Sequence, residues 1–168
     1  MILIISKTAS PADDLEDIIE LLAEIKQEMK NNDIVAEICK EHGFDIDIID
    51  GIPLEFVDDL EASAKTVDSR IQLNSELLNE DFEIIMRYAI HELVHSLQHM
   101  KSEGIDPYAS DEYLDRDDEL EAFQFQIAYD AEERGENEAV DYVEDLIEYH
   151  EIPKEEQKNK KEELLEKV

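Results

Sequence analysis

Residues 79–102 read NEDFEIIMRYAIHELVHSLQHMKS, and their pattern predicts one long helix, from about Asn79 or Asp81 to Ser102. Phe82, Met86, Ala89, Leu93, Leu97 and Met100 recur at helical spacing and make an apolar stripe. His91 and His95 fall on the opposite side with Ile84 and Tyr88 among them, as expected of a helix buried on most sides. Within the helix, His91-Glu92-Leu93-Val94-His95 has the form H-E-x-x-H. Residues four apart share a helix face, one turn above the other. The two imidazoles can therefore reach a single ion. Glu92 lies beside them, where it can act on a water held by that ion without being a ligand itself. Two neutral ring nitrogens suit Zn²⁺, and a glutamate so placed is the usual base of metal-assisted hydrolysis.

A catalytic zinc takes three protein ligands and keeps one position open. His99 repeats the four-residue step but stands two turns, about 12 Å of rise, from His91, too far to share an ion with it. The extended pattern with a third histidine also fails. Leu97 and Gln98 stand where a helix-ending glycine is needed, and Lys101 where the histidine belongs. A carboxylate from a following helix is the other route, and Asp118-Glu119-Leu120-Glu121-Ala122-Phe123 is the place to look. By helical angle Glu119 lies somewhat closer than Glu121 to the Leu120, Phe123, Ile127 stripe. Acids at this helix start also suit the helix dipole with no metal at all.

The run H-E-L-V-H-S-L-Q, followed some two dozen residues later by E-L-E-A-F-Q-F, resembles the gluzincin class of zinc metallopeptidases, and among them very small single-domain members. The resemblance spans roughly Arg70 to Ala131. It implies an α+β fold: a mainly helical zincin-like domain with a small sheet of short strands before the H-E-x-x-H helix. It also implies one Zn²⁺ on His91, His95 and Glu119, with Glu121 as the alternative third ligand. Ala122 matches the family's small residue, while Phe123 replaces an Asn or Asp that supports a zinc ligand. The implied activity is peptide-bond hydrolysis, as an endopeptidase rather than an exopeptidase, by Glu92-assisted attack of a zinc-bound water. In such enzymes an edge strand before the motif helix pairs with extended substrate, which points to Ile71, Gln72 and Leu73 as substrate-binding residues. Candidates by type for the oxyanion donor are Tyr108, Tyr113, Arg116, Tyr142, Tyr149 and His150.

Away from the motif, Met1–Ile5 reads as a short buried strand. Ser10 can cap a first helix with Pro11 at its first position, ending near Asn31 and Asn32. A second helix runs from about Asp33 to His42, with Gly43 as its cap. Phe44 to Ile49 alternates as a strand would, and Asp50 to Pro53 reads as a turn. Leu54, Phe56 and Val57 suit a strand, Asp58–Lys65 a helical turn or two, and Arg70–Leu73 a short strand. Gly104 ends the motif helix and Ile105–Leu114 is a connection. Asp115, with Asp118, caps a helix carrying Leu120, Phe123, Ile127 and Ala131 and ended by Gly135. A further helix holds Val140, Val143, Leu146 and Ile147. Residues 1–153 form a single domain, and 154–168 a charged helix or tail.

The chain has 168 residues, with 47 Asp and Glu against 15 Lys and Arg, a formal charge of −32. That balance disfavours nucleic acid and anionic membranes as partners and favours cations and basic or neutral peptides. The single cysteine, Cys39, precludes an internal disulfide and reads as a small buried hydrophobe. No run is apolar for long enough to cross a membrane, and Met1–Ser6 is too short for a signal peptide. A cytoplasmic protein, or one packaged in a particle, is the expectation. The rival to the enzyme is an acidic non-catalytic binding module, either a degenerate metallopeptidase or a charge mimic.

Overall fold

Helical periodicity in the sequence becomes helix almost everywhere it occurs. The structure, a computed structural model, describes residues 11–102 and 116–168. Its helices are α1 (Pro11–Asn31), α2 (Asp33–Glu41), α3 (Ile48–Gly51), α4 (Phe82–Ser102), α5 (Asp117–Arg134), α6 (Glu136–Tyr149) and α7 (Lys154–Leu164). Its strands are β1 (Leu54–Val57), β2 (Ala64–Val67) and β3 (Arg70–Asn74). The fold is α+β and mainly helical, with a small mixed sheet ahead of α4. The expected Met1–Ile5 strand, the Ser10 and Asp115 caps, Gly104 and the connection 105–114 lie outside the described residues. Among the described residues, no helix is long and apolar enough to cross a membrane.

Asn32 separates α1 from α2. Its side-chain oxygen accepts from the N–H groups of Ile34 and Val35 at 2.9 and 3.3 Å, satisfying two donors that the start of α2 leaves open. Gly43 follows α2 at φ +77°, the left-handed conformation that ends helices and that a side chain would strain.

The alternating stretch from Phe44 to Ile49 is not a strand. Its end forms the single turn α3, and the Asp45 carboxylate accepts from the Asp47 N–H at 3.0 Å. The fully buried residues here are Ile49 and Ile52, three apart, whereas Phe44, Ile46 and Ile48 of the alternating set are only partly buried. Helical spacing thus prevails over the apparent period of two. Asp58–Lys65 is likewise not helical: it is a turn leading into β2.

The sheet order is β1-β3-β2, with β1 and β3 parallel and β2 and β3 antiparallel. β3 is therefore the central strand, paired on both sides, and Ile71 and Leu73 point into the core at 1% and 0% exposure. This corrects the expectation that Ile71, Gln72 and Leu73 form a free edge. Among the described residues β1 and β2 are the edge strands, and β2 is bonded to α4 through Thr66. Asp68 and Ser69 turn the β2–β3 hairpin at φ +49° and +64°, without a glycine. The Ser96 hydroxyl of α4 donates to the Ser69 carbonyl at 2.6 Å and pins that tip.

Two cores share one helix. The larger gathers α1, α2, α3, β3 and α4 around Ala122, Phe125, Ala128 and Tyr129 of α5. The smaller sets Phe123 and Ile127 of α5 against Ala139, Val143 and Ile147 of α6 and Leu164 of α7. Burial on both faces fixes α5 in rotation as well as position. Cys39 is buried, and burial pushes its thiol up to about 11, as for an inert small hydrophobe. Residues 154–164 form a helix with a packed face, tied to α5 by the Gln124 amide donating to the Glu163 carbonyl at 2.9 Å.

Leu164 is fully buried, so Leu164→Ala should cost about 2–5 kcal/mol, a cavity in the smaller core. Urea unfolding followed by circular dichroism checks this; an unchanged midpoint would mean that α7 is dispensable decoration.

Candidate metal centre

Three side chains from the two central helices converge. His91 and His95 of α4 and Glu119 of α5 each offer a ligand atom, all within 4.8 Å of one another. His91 Nε2 lies 3.2 Å from Glu119 Oε2, His95 Nε2 lies 3.1 Å from Glu119 Oε1, and the two Nε2 atoms are 3.2 Å apart. Donors about 2.0–2.1 Å from a tetrahedral ion sit about 3.3 Å from each other. Each separation is close to that value, with the two histidines meeting different oxygens of the one carboxylate. The histidines are 7% exposed and Glu119 is 8% exposed. The three residues can hold a metal ion.

The tautomers favour this. His91 Nδ1 donates to Gln126 Oε1 and His95 Nδ1 donates to Gln98 Oε1, each at 2.8 Å. The Gln98 orientation is fixed by its own nitrogen, which donates to the Asp118 carbonyl at 3.1 Å and to Glu121 Oε1 at 3.3 Å. With protons on both Nδ1 atoms, the Nε2 lone pairs face inward, towards each other and the carboxylate. Such a set is repulsive unless a proton or a metal ion lies within it. Burial opposes charge on His95, but Glu119 outweighs it and raises the imidazole to about 9. Burial would also raise the Glu119 carboxyl, yet the two imidazoles hold it well below the usual carboxylate range. Its place in the first turn of α5 favours the anion as well.

Glu121 turns elsewhere. It accepts from Nε2 of His42, the residue that follows α2, at 2.5 Å and from Gln98. His99 takes no part in the cluster. Phe123 packs edge-on against the His91 ring, with centroids 4.6 Å apart. The support expected of an Asn or Asp at that position comes instead from Gln126, one turn along α5.

Glu92 is buried beside the triangle but does not belong to it. The Thr66 hydroxyl of β2 lies 2.6 Å from Glu92 Oε2 and 3.0 Å from the Glu92 carbonyl oxygen. A cleft of about 650 Å³ opens in front of His91 and Glu92, bordered by Ala64, Tyr88, Phe123, Tyr142 and Leu146. Tyr149 and His150 also border it. Of the other oxyanion candidates, Tyr108 and Tyr113 lie outside the described residues, and Arg116 pairs with Asp118 at 2.8 Å. Sequence reasoning missed Thr66, Gln98 and Gln126. Gln98 carries the one local signal, standing three residues after His95 on the same face.

No protein-family model matches this chain, and no curated protein or solved structure matches it significantly. The ligand set is therefore testable only on the chain itself. Dialysed against zinc and then metal-free buffer, wild type should retain one ion per molecule, as should E121A, while H95A and E119A should retain none by elemental analysis. Zinc kept by E119A would move the third ligand to Glu121. Q126L should weaken zinc about 10–100-fold, read by chelator competition.

Proposed function

We propose that this protein is a zinc-dependent peptidase of the gluzincin kind, cutting within peptide chains, with His91, His95 and Glu119 as ligands and Glu92 as base. The observation that carries the reading is a second buried carboxylate, Glu92, beside the three-donor cluster yet held apart from it. A purely structural ion needs no such neighbour. Two imidazoles and one carboxylate with their donor atoms within 4.8 Å of one another suit zinc. The ion, when bound, supplies a Lewis acid that polarises a peptide carbonyl and renders water acidic near neutral pH. Glu92 takes the proton from the attacking water and passes it to the leaving amine.

The sheet supplies a way to hold the substrate. The Asn74 N–H donates to the Ser63 carbonyl at 2.8 Å, and Lys65 lies opposite Gln72. In an antiparallel ladder, hydrogen-bonded pairs alternate with pairs whose backbone groups point away. The N–H and C=O of Ala64 and Thr66 therefore face outward, and among the described residues no strand covers them. An extended peptide can add there as a further strand, with a side chain entering the adjoining cleft. Tyr142, Tyr149 and His150 are the candidate donors to the oxyanion. Burial pushes the Tyr142 phenol up to about 12, so it keeps its proton at neutral pH. The −32 charge favours basic or neutral peptides over acidic ones.

E92Q should bind zinc as wild type does and lose about 10²–10⁴-fold in hydrolysis of a mixed peptide library. Turnover unchanged in E92Q, or unaffected by a chelator, would end the peptidase reading.

A further inference from the structure

We propose that Thr66 is the positioning residue of the Glu92 base: its hydroxyl fixes Oε2 and leaves Oε1 as the oxygen that accepts the proton. The inference rests on the peptidase reading above and goes beyond it by assigning a role to a residue of the sheet. A hydroxyl has one proton to give. Of its two neighbours, the carboxylate oxygen at 2.6 Å is nearer than the Glu92 carbonyl at 3.0 Å. The shorter separation is that of a hydrogen bond to an anion. Glu92 is 8% exposed, so water has little access to steady its carboxylate. A base in this place has to reach a water beside the ion without swinging onto the ion itself. A donor from a separate element, approaching one oxygen only, imposes that restraint.

The strand is well suited to hold the donor. Burial alternates along β2, with Ala64 and Thr66 inward and Lys65 and Val67 outward. The hairpin is also anchored to α4 at its tip, where Ser96 bonds to Ser69. Strand and helix therefore stay docked without the Thr66 hydroxyl, and its loss frees the carboxylate alone. Because Thr66 also turns its backbone towards the open edge, one residue lies between the bound peptide and the base. The proton taken at Oε1 goes on to the leaving amine, and Oε2 keeps its hydrogen bond throughout.

The test uses the zinc-loaded full chain, with acetohydroxamate as probe. A hydroxamate that chelates the ion shares its proton with the carboxylate alongside, so its affinity reads the placement of Glu92 without turnover. T66V should bind one zinc per chain, as wild type does. It should bind acetohydroxamate about 10–100-fold more weakly and lose kcat to a similar degree, with KM unchanged. T66S should restore both, and T66A carries the expectation of T66V should valine disturb the strand. Wild-type acetohydroxamate affinity in zinc-loaded T66V, or a T66S protein as impaired as T66V, overturns the role of Thr66 alone. Wild-type affinity in E92Q, or no zinc on the wild-type chain, removes the peptidase reading and this proposal together.

Discussion

Two imidazole lone pairs and a carboxylate, forced to within 3.2 Å of each other in a nearly dry interior, form the constraint to which the rest of the structure answers. Without a proton or a cation among them, these groups repel. They are held by helices that cannot rotate. Residues 91–97 of α4 are buried without interruption, and 122–130 of α5 likewise. Turning either helix by a fraction of a turn would tear apolar contacts on two sides. Apolar packing thus holds the three donors together in the folded chain.

Polar neighbours complete the arrangement. Gln98 joins His95 to the start of α5 through the Asp118 carbonyl, and through Glu121 to His42 at the end of α2. One side chain thereby sets a tautomer and braces two helices, while engaging the Glu121 carboxylate away from the cluster. The surface adds a longer-ranged effect. A chain carrying −32 lowers the potential around its cleft and concentrates cations there. Salt limits the reach of that field to about 8 Å at physiological ionic strength, so it acts chiefly on groups already near the mouth.

What the sequence discloses is what periodicity encodes. The α4 stripe and the pair of histidines follow from 3.6-residue spacing, and the phase of α5 favours Glu119 over Glu121 by a small margin that the structure widens. The sheet is less legible. Asp68-Ser69 turns a hairpin with both residues at positive φ, a role usually signalled by Asn-Gly or Asp-Gly. Without that signal, β2 does not stand out, and β3 reads as an edge because its second neighbour is unseen. Ile49 and Ile52 belong to a helical turn whose preceding residues happen to alternate. Thr66 and Gln126 act across 26 and 35 residues of sequence, and no local pattern reports a partner at that distance.

The two buried glutamates Glu92 and Glu119 show why composition alone could not tell them apart. Glu92 and Glu119 are equally buried, at 8% exposure, and they are the same residue type. Their hydrogen-bond partners separate them. Glu119 faces two imidazoles at the start of a helix, an environment that stabilises the anion and commits it to a cation. Glu92 meets a neutral hydroxyl from a strand, which orients the carboxyl group without bringing an opposite charge to it. Paired acids in active sites divide their labour through such differences in surroundings. Here the difference depends on β2 lying against α4, which makes the least sequence-evident strand the one that sets the two carboxylates apart.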